Sequence, residues 1–237
     1  MAALMNRSIL MLLAITCCAF YSGVALAHEI ALDPGHSPGS PGAKSCSGVY
    51  EHVYNSNLAN TIVEYLAARN IQIAVTRPPG AEISLEARAK MSAGRKLFIS
   101  LHHDSAQPQF ITFRNGNPCS EKARGYSIFV SSINGFFQES LACARVLGEA
   151  LRRSGLSPST HHGERIKGEN RELLDENLGI YRFDDLVVLK NALSPALLLE
   201  AAVIIHPLDD ERSKTKAYQL IIADAVAKAV TFAVNNF

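Results

Sequence analysis

The chain alternates short apolar runs with longer stretches of helical periodicity, and this alternation constrains the fold most. The apolar runs have the composition of buried strands; they are residues 28–32, 71–76, 97–101, 126–131, 186–189 and 196–199. The longer stretches repeat apolar residues at helical spacing; they are residues 51–69, 84–93, 137–153 and 214–234. Strands that alternate with helices form parallel βαβ units. The pattern predicts one α/β domain with a mostly parallel, about six-stranded sheet flanked by helices.

Composition excludes two broad classes of protein. The 237 residues carry 23 Lys and Arg against 22 Asp and Glu, and 48% of them are hydrophobic. A disordered chain has fewer apolar residues, and a polybasic nucleic-acid binder has an excess of positive charge. No apolar run after residue 27 approaches the roughly 18 residues of a membrane-spanning helix. We expect a monomeric globular domain with no nucleic-acid partner and no stable membrane anchor.

The N-terminal residues have the layout of a secretory signal peptide. Arg7 supplies a positive charge, residues 8–27 are uncharged and mostly apolar, and Ala25-Leu26-Ala27 resembles a cleavage site. We expect cleavage after residue 27 and a catalytic domain over 28–237; an uncleaved membrane anchor is the alternative. Export would permit a disulfide, and Cys46 and Cys119, in loop-like stretches, are the expected pair. Cys143 lies in an apolar helical pattern, which predicts a buried thiol.

Residues 161–185 interrupt the alternation with a long polar insertion. Connections of this length are usually functional or mobile. Residues 169–178 could form a short helix ending near Gly179. We hypothesise that residues 164–176 cover the active-site cleft and are displaced by an activator protein; a solvated surface excursion is the alternative.

Chemically active residues follow three of the predicted strands. The first strand runs into Asp33-Pro34-Gly35-His36, the third into His102-His103-Asp104, and the last into Glu200. Open α/β sheets bind ligands outside the carboxyl ends of their strands, so these groups should meet at one edge. Adjacent strand residues point to opposite sides, so one of the two histidines should face the site.

Together with Glu51, which opens the first predicted helix, His36 and His102 form a His₂Glu set. Three protein ligands and an open position are typical of catalytic zinc, and Glu200 could then serve as the proton acceptor. Taken singly, each residue has a structural explanation: a solvated turn for His36, a backbone-bonded core-edge histidine for His102, a favourable helix start for Glu51, and a buried salt bridge for Glu200. The sequence contains no HExxH, CxxC or Walker motif.

The order and spacing of these motifs resemble the zinc-dependent N-acetylmuramoyl-L-alanine amidase family, type 3. The resemblance implies a single α/β domain, one Zn²⁺ held by His36, Glu51 and His102, and Glu200 as the catalytic acid/base. His103 stands where the family has Ala, and His52 and His206 fall in stretches that differ from the family pattern. The number of metal ligands therefore stays open. Asp33 could orient His36 or stabilise its turn.

The resemblance also implies the reaction and its place. The family cleaves the amide between the lactyl group of N-acetylmuramic acid and the L-alanine of the peptidoglycan stem peptide. We expect peptidoglycan as substrate, an activator protein as a possible partner, and a periplasmic location, with a Gram-positive cell surface as the alternative location. The alternatives are another cell-wall zinc hydrolase, such as a carboxypeptidase or deacetylase, and a non-catalytic peptidoglycan-binding regulator.

Overall fold

The computed structural model describes residues 29–237. The predictions of a signal peptide over 1–27 and of a strand start at His28 lie outside the described residues. Two layers of helix enclose a central sheet, as the alternation of strands and helices predicts. The strands are β1 Ile30–Pro34, β2 Ile73–Val75, β3 Leu97–Asp104, β4 Thr112–Arg114, β5 Asn117–Cys119, β6 Ser127–Val130, β7 Glu172–Asp175, β8 Ile180–Arg182 and β9 Ala196–Val203. The α-helices are α1 Glu51–Ala67, α2 Leu85–Lys90, α3 Phe137–Arg153, α4 Val187–Lys190, α5 Pro207–Ser213 and α6 Lys216–Asn236.

The central sheet has seven strands in the order β2-β1-β3-β9-β6-β8-β7. Strands β2, β1, β3 and β9 are parallel, which confirms the predicted parallel core. Strand β6 runs antiparallel to β9 and parallel to β8, and β7 closes the edge antiparallel to β8. The remaining two strands, β4 and β5, form a separate hairpin.

Two sequence predictions of secondary structure are wrong. Residues 186–189, predicted as a strand, contain the start of helix α4, because a four-residue apolar run is equally compatible with one buried helical turn. Residues 169–178, predicted as a helix, contain strand β7. Its chain reverses where the Asp175 carboxylate accepts from the Leu178 amide and Gly179 adopts φ 64°, so a hairpin replaces the expected helix end.

Helices α1, α3 and α6 cover one face of the sheet, and α2 and α4 pack together on the other. By length and a mean hydropathy of 1.5, α6 could also cross a membrane; 56% of that apolar stretch is buried in the domain. Its contacts with α1 and α3 are those of a core helix. The two apolar faces explain why most residues of the central strands β1, β3 and β9 are buried on both sides.

The predicted cysteine pairing is confirmed. Cys46 and Cys119 form a disulfide with their Cα atoms 4.7 Å apart, within the usual range. The bridge ties the loop between β1 and α1 to the end of the β4–β5 hairpin. Cys143 is a buried free thiol, and burial raises its pKa to about 12, so it is protonated at neutral pH.

Candidate active site

The carboxyl ends of the parallel strands meet at one edge, as expected. Pairing of Pro34 with Leu101 joins β1 to β3, and pairing of His102 with Glu200 joins β3 to β9. Strands β1, β3 and β9 therefore end at the same edge of the sheet. His36 follows β1 at this edge, and Glu51 begins α1 there.

His36, Glu51 and His102 come together at this edge. Glu51 Oε2 lies 3.0 Å from His36 Nε2, and Glu51 Oε1 lies 3.0 Å from His102 Nδ1. The candidate ligand atoms of the three residues all lie within 4.8 Å of one another, close enough to bind one metal ion. The structure thus assembles the three residues that the sequence analysis selected as ligands.

The backbone around this cluster is specialised for close approach. His36 adopts φ 61°, in the left-handed region that non-glycine residues rarely occupy and that costs about 1–3 kcal/mol. At Gly42, with φ 75°, a Cβ would lie 2.4 Å from Glu51 Oε2. At Gly35 a Cβ would lie 2.3 Å from His102 Nε2. Both glycines make room for the ligand side chains, and the strained histidine is typical of a functional position.

Charge is distributed unevenly over the cluster. Burial alone would raise the pKa of Glu51, but His102 and His36 hold it well below its usual range. Burial opposes protonation of His36, but the neighbouring Glu51 carboxylate nevertheless raises its pKa. Glu51 is therefore an anion at neutral pH, and it is able to bind a cation.

A second layer of hydrogen bonds orients Glu51. Its Oε1 accepts from the Asn55 side chain at 3.2 Å and from the His103 backbone amide at 3.1 Å. The buried His103 ring points to the opposite side of β3, where Nδ1 donates to Asn55 Oδ1 at 2.8 Å. Burial lowers the pKa of His103 to about 4, so it is neutral there. One histidine of the pair faces the cluster, as predicted, and the other supports it.

The other candidate ligands lie outside the cluster. His206 precedes helix α5, and its Nδ1 accepts from the Leu208 amide. His52 follows Glu51 on α1, and within the described residues it belongs to neither group of converging ligand atoms. Among His52, His103 and His206, which all lie in the described part of the chain, His103 is the one that hydrogen-bonds to a residue of the cluster, through its backbone amide to Glu51.

Asp33 does not orient His36, contrary to one of the two roles considered. Its buried carboxylate accepts from Arg88 at 2.7 and 2.8 Å and from the hydroxyls of Thr76 and Ser100. Burial opposes ionisation, but Arg88 still lowers the pKa of Asp33. The buried pair fixes α2 against the end of β1, so its role is structural.

Glu200 is the isolated carboxylate of the site. Its Oε2 is buried without a hydrogen-bond partner, and no ion pair involving Glu200 is found within residues 29–237. Burial, and then the negative charges of Asp104 and Glu51, raise its pKa well above the usual range. A raised pKa and a buried oxygen without a hydrogen bond suit a group that exchanges a proton, and the alternative of a buried salt bridge does not apply.

Two cavities open at this edge. A largely apolar groove of about 560 Å³ runs past His36 and His102 and is closed on the far side by the start of α4. A smaller cavity of about 230 Å³ contains Glu200 together with Asp104 and His162. Ligand access to the His36–Glu51–His102 cluster is therefore through the groove, with Glu200 facing the adjoining cavity.

The polar insertion 161–185 is built into the fold. Residues 161–163 form a 3₁₀ turn beside Asp104, and Gly168, Glu169 and Arg171 line the smaller cavity. Residues 172–175 are strand β7, so displacing them would break pairing at the sheet edge. The hypothesis of a displaceable cover stays a prediction, and displacing the segment would cost the free energy of the pairing between β7 and β8.

Sequence reasoning missed a second cluster, formed by Asp104, His161 and His162. The adjacent histidines of the polar insertion and the carboxylate at the end of β3 were the available signals. Because 57 residues separate Asp104 from His161, only the folded chain brings them together.

Comparison with known proteins agrees with the fold and motifs. A family model described as N-acetylmuramoyl-L-alanine amidase matches residues 30–232. "Probable cell wall amidase LytH" of Staphylococcus saprophyticus is 25% identical over 203 residues, which cover 85% of this chain and 56% of that protein. The chain thus spans little more than half of this relative's length.

Solved structures share the fold. Ami1, an N-acetylmuramyl-L-alanine amidase from Mycobacterium smegmatis, has a TM-score of 0.70 at 20% identity, over 88% of this chain and 97% of that one. CwlD amidase from Clostridioides difficile, solved in complex with the GerS lipoprotein, has a TM-score of 0.65 at 17% identity, over 87% and 98%. With the match of the family model over nearly all described residues, these findings establish that the chain belongs to the N-acetylmuramoyl-L-alanine amidase family.

Proposed function

We propose that the chain is an exported, zinc-dependent hydrolase that cleaves the amide between the lactyl group of N-acetylmuramic acid and the L-alanine of the stem peptide. The observation that carries the proposal is the convergence of His36, Glu51 and His102 near the partnerless carboxylate of Glu200. Family membership supports the identity of the bond.

The three residues fit zinc by their chemistry. Two imidazoles and one carboxylate are a ligand set known for catalytic zinc, which leaves a further coordination position open. Ser40 accepts from His36 Nδ1 through its backbone carbonyl at 3.2 Å, the type of contact that orients a ligating imidazole. A zinc ion held by these residues would polarise the scissile carbonyl and lower the pKa of a water molecule.

The other steps fall to the chain's own groups. Glu200 takes a proton from the attacking water and delivers it to the departing amine of L-alanine. Its raised pKa suits both halves of this transfer, because a carboxylate of ordinary pKa is a poorer proton carrier at neutral pH. The groove beside His36 and His102 is large enough to bind part of a glycopeptide strand.

The cellular setting is part of the proposal. The leader-like residues 1–27 and the disulfide between Cys46 and Cys119 support export to the periplasm, an oxidising compartment. A complex between CwlD and a lipoprotein supports a protein partner for this chain as well. Residues 164–176, beside the Glu200 cavity, are the segment where we expect such a partner to act.

Mass spectrometry of digested peptidoglycan tests the reaction. Purified protein supplied with Zn²⁺ should release stem peptides that begin with L-alanine and leave the glycan chains intact. Glu200→Gln, which keeps the shape of the side chain but cannot carry a proton, should release none. Glu149→Gln is the matched control, because Glu149 lies on α3 with 54% of its side chain exposed and should retain full activity.

The alternatives predict different products. A carboxypeptidase would shorten the stem peptide from its other end, and a deacetylase would release acetate from the glycan. A binding module would release nothing yet would sediment with peptidoglycan, and the same preparation of Glu200→Gln would sediment equally. Either a different cut or equal activity of wild type and Glu200→Gln would contradict the proposal.

A further inference from the structure

We infer that Asp104, His161 and His162 form a second site for a divalent transition-metal ion, distinct from the His36–Glu51–His102 cluster. This inference goes beyond the proposed function, because a single zinc suffices for the hydrolysis. It rests on the geometry of the cluster, on the second partners of both imidazoles, and on buried polar atoms that the protein leaves unsatisfied.

The ligand atoms of this cluster converge on one point. Asp104 Oδ2 lies 2.7 Å from His162 Nε2 and 3.2 Å from His161 Nε2. All candidate ligand atoms of the three residues lie within 4.8 Å of one another, as in the first cluster. The centroids of the two imidazole rings lie 3.8 Å apart with the ring planes tilted by 38°, and both Nε2 atoms contact the same carboxylate.

Each imidazole is held from behind through its other nitrogen. His162 Nδ1 donates to Glu169 at 2.9 Å, and His161 Nδ1 is hydrogen-bonded to Ser159 Oγ at 2.8 Å. Gln107 in turn donates to Glu169 at 2.8 Å, which fixes the carboxylate. Metal-binding histidines characteristically use one nitrogen for a protein partner and the other for the metal. Both histidines here have that arrangement.

Two buried polar atoms, one in the cluster and one beside it, make no hydrogen bond. His161 Nε2 contacts Asp104 Oδ2 at 3.2 Å as an ion pair without a hydrogen bond, and Glu200 Oε2 makes no hydrogen bond either. Buried polar atoms of this kind are rare and call for a ligand or a functional explanation. Asp104, His162 and Glu200 line the same 230 Å³ cavity, which gives an ion room and a route of entry.

The competing explanation is a purely ionic network in which protonated His162 bridges Asp104 and Glu169. That network accounts for His162, whose two nitrogens both meet carboxylates. It leaves the Nε2 of His161 without a hydrogen bond, although only 7% of the His161 side chain is exposed. A cation bound to both Nε2 atoms and to Asp104 satisfies all three groups.

The ligand chemistry restricts the ion. Two imidazole nitrogens and one carboxylate oxygen favour Zn²⁺, Co²⁺, Ni²⁺ or Mn²⁺, whereas Ca²⁺ and Mg²⁺ prefer sites made only of oxygen. An ion at Asp104 would add positive charge to the cavity that contains Glu200.

Metal stoichiometry tests the inference independently of activity. After chelation and dialysis against Zn²⁺, elemental analysis of wild-type protein should find two ions per chain. His161→Ala/His162→Ala should bind one ion, and so should His36→Ala/His102→Ala. His52→Ala, which removes a histidine outside both clusters, should still bind two. His162→Gln should weaken the second ion at least about tenfold and leave the first unchanged.

Each outcome decides between the two clusters. One ion in wild type that disappears in His36→Ala/His102→Ala would overturn the inference and leave the proposed function intact. One ion that disappears only in His161→Ala/His162→Ala would support the inference and contradict the proposed zinc ligands. Two ions retained in the His161→Ala/His162→Ala variant would also overturn it. Because wild type and the conservative His162→Gln are both measured, misfolding of a double variant does not leave the question open.

Discussion

Replacing both Cys46 and Cys119 with alanine should lower the free energy of unfolding by about 4 kcal/mol. The bridge closes a loop of 73 residues that contains strands β2 to β5 and helices α1 and α2. Loop-closure entropy for a chain segment of that length gives roughly 4.4 kcal/mol at 25 °C. Since domains are stable by about 5–15 kcal/mol, the variant should fold at 25 °C with a greatly reduced margin.

Denaturant unfolding at 25 °C is the direct assay. The midpoint should fall without a large change in the folded spectrum, and thermal unfolding should shift down by roughly 9–18 °C, at about 2–4 °C per kcal/mol for a domain of this size. Wild-type protein in reductant is the matched control, because it loses the covalent link but keeps both side chains. It should lose a similar amount of stability.

A loss below about 1 kcal/mol in both the variant and the reduced protein would refute this reasoning. It would mean that the unfolded chain already keeps residues 46 and 119 close together, so that the bridge removes little conformational freedom. A large loss in the variant alone would assign the effect to packing, because Cys119 is 1% exposed.

Three further predictions concern the site and its support. Gly42→Ala should weaken metal binding at least about tenfold by calorimetry, because its Cβ would lie 2.4 Å from Glu51 Oε2. Arg88→Met should cost about 3–5 kcal/mol in denaturant unfolding, because it leaves the buried Asp33 carboxylate unpaired. Burial lowers the pKa of His103 to about 4 in the folded protein, whereas its pKa in the unfolded chain is about 6.5. The neutral ring therefore stabilises the fold fully above pH 6.5, and this stabilisation is lost as the pH falls towards 4. In metal-free protein this loss amounts to roughly 3 kcal/mol, and His103→Gln should flatten the dependence of unfolding free energy on pH over that window.

A contrary result in any of these three experiments would contradict the physical reason given for that prediction. Unchanged metal affinity in the Gly42 variant would mean that the loop before α1 is free to shift away from the cluster. A loss under about 1 kcal/mol in the Arg88 variant would mean that water reaches Asp33. Identical pH profiles for wild type and His103→Gln would mean that another group titrates between pH 4 and 6.5.

The parallel half of the sheet is predictable from the sequence because β1, β3 and β9 are buried on both faces along most of their length. Such strands are continuous apolar runs, and the polar residues that end them mark the functional edge. His36, His102 and Glu200 could be selected in this way without any knowledge of contacts. Glu51 required the additional information that a helix begins at the same edge.

Strands β7 and β8 could not be predicted because they are short and partly exposed, whereas the fully buried β6 falls within the predicted strand 126–131. Strand β7 has four residues of mixed polarity at the sheet edge, where burial imposes no clear alternation. The direction of β6 depends on which neighbour it pairs with, and no local pattern specifies that. The hydrogen bond between Asp175 and Leu178 that starts the reversal into β8 is likewise compatible with a helix end.

Strand β3 explains how two clusters arise on either side of one carboxylate. Alternation along the strand directs His102 and Asp104 to the same face, roughly 7 Å apart, while His103 points back to α1. Glu200 is paired with His102 across the sheet and lines a cavity with Asp104, so it is repelled by both Glu51 and Asp104. Those repulsions raise the pKa of Glu200 only because the other two carboxylates stay ionised, and each does so through a pair of histidines. Burial therefore raises the pKa of the proposed proton carrier first, and the two ionised carboxylates of the clusters flanking it raise this pKa further.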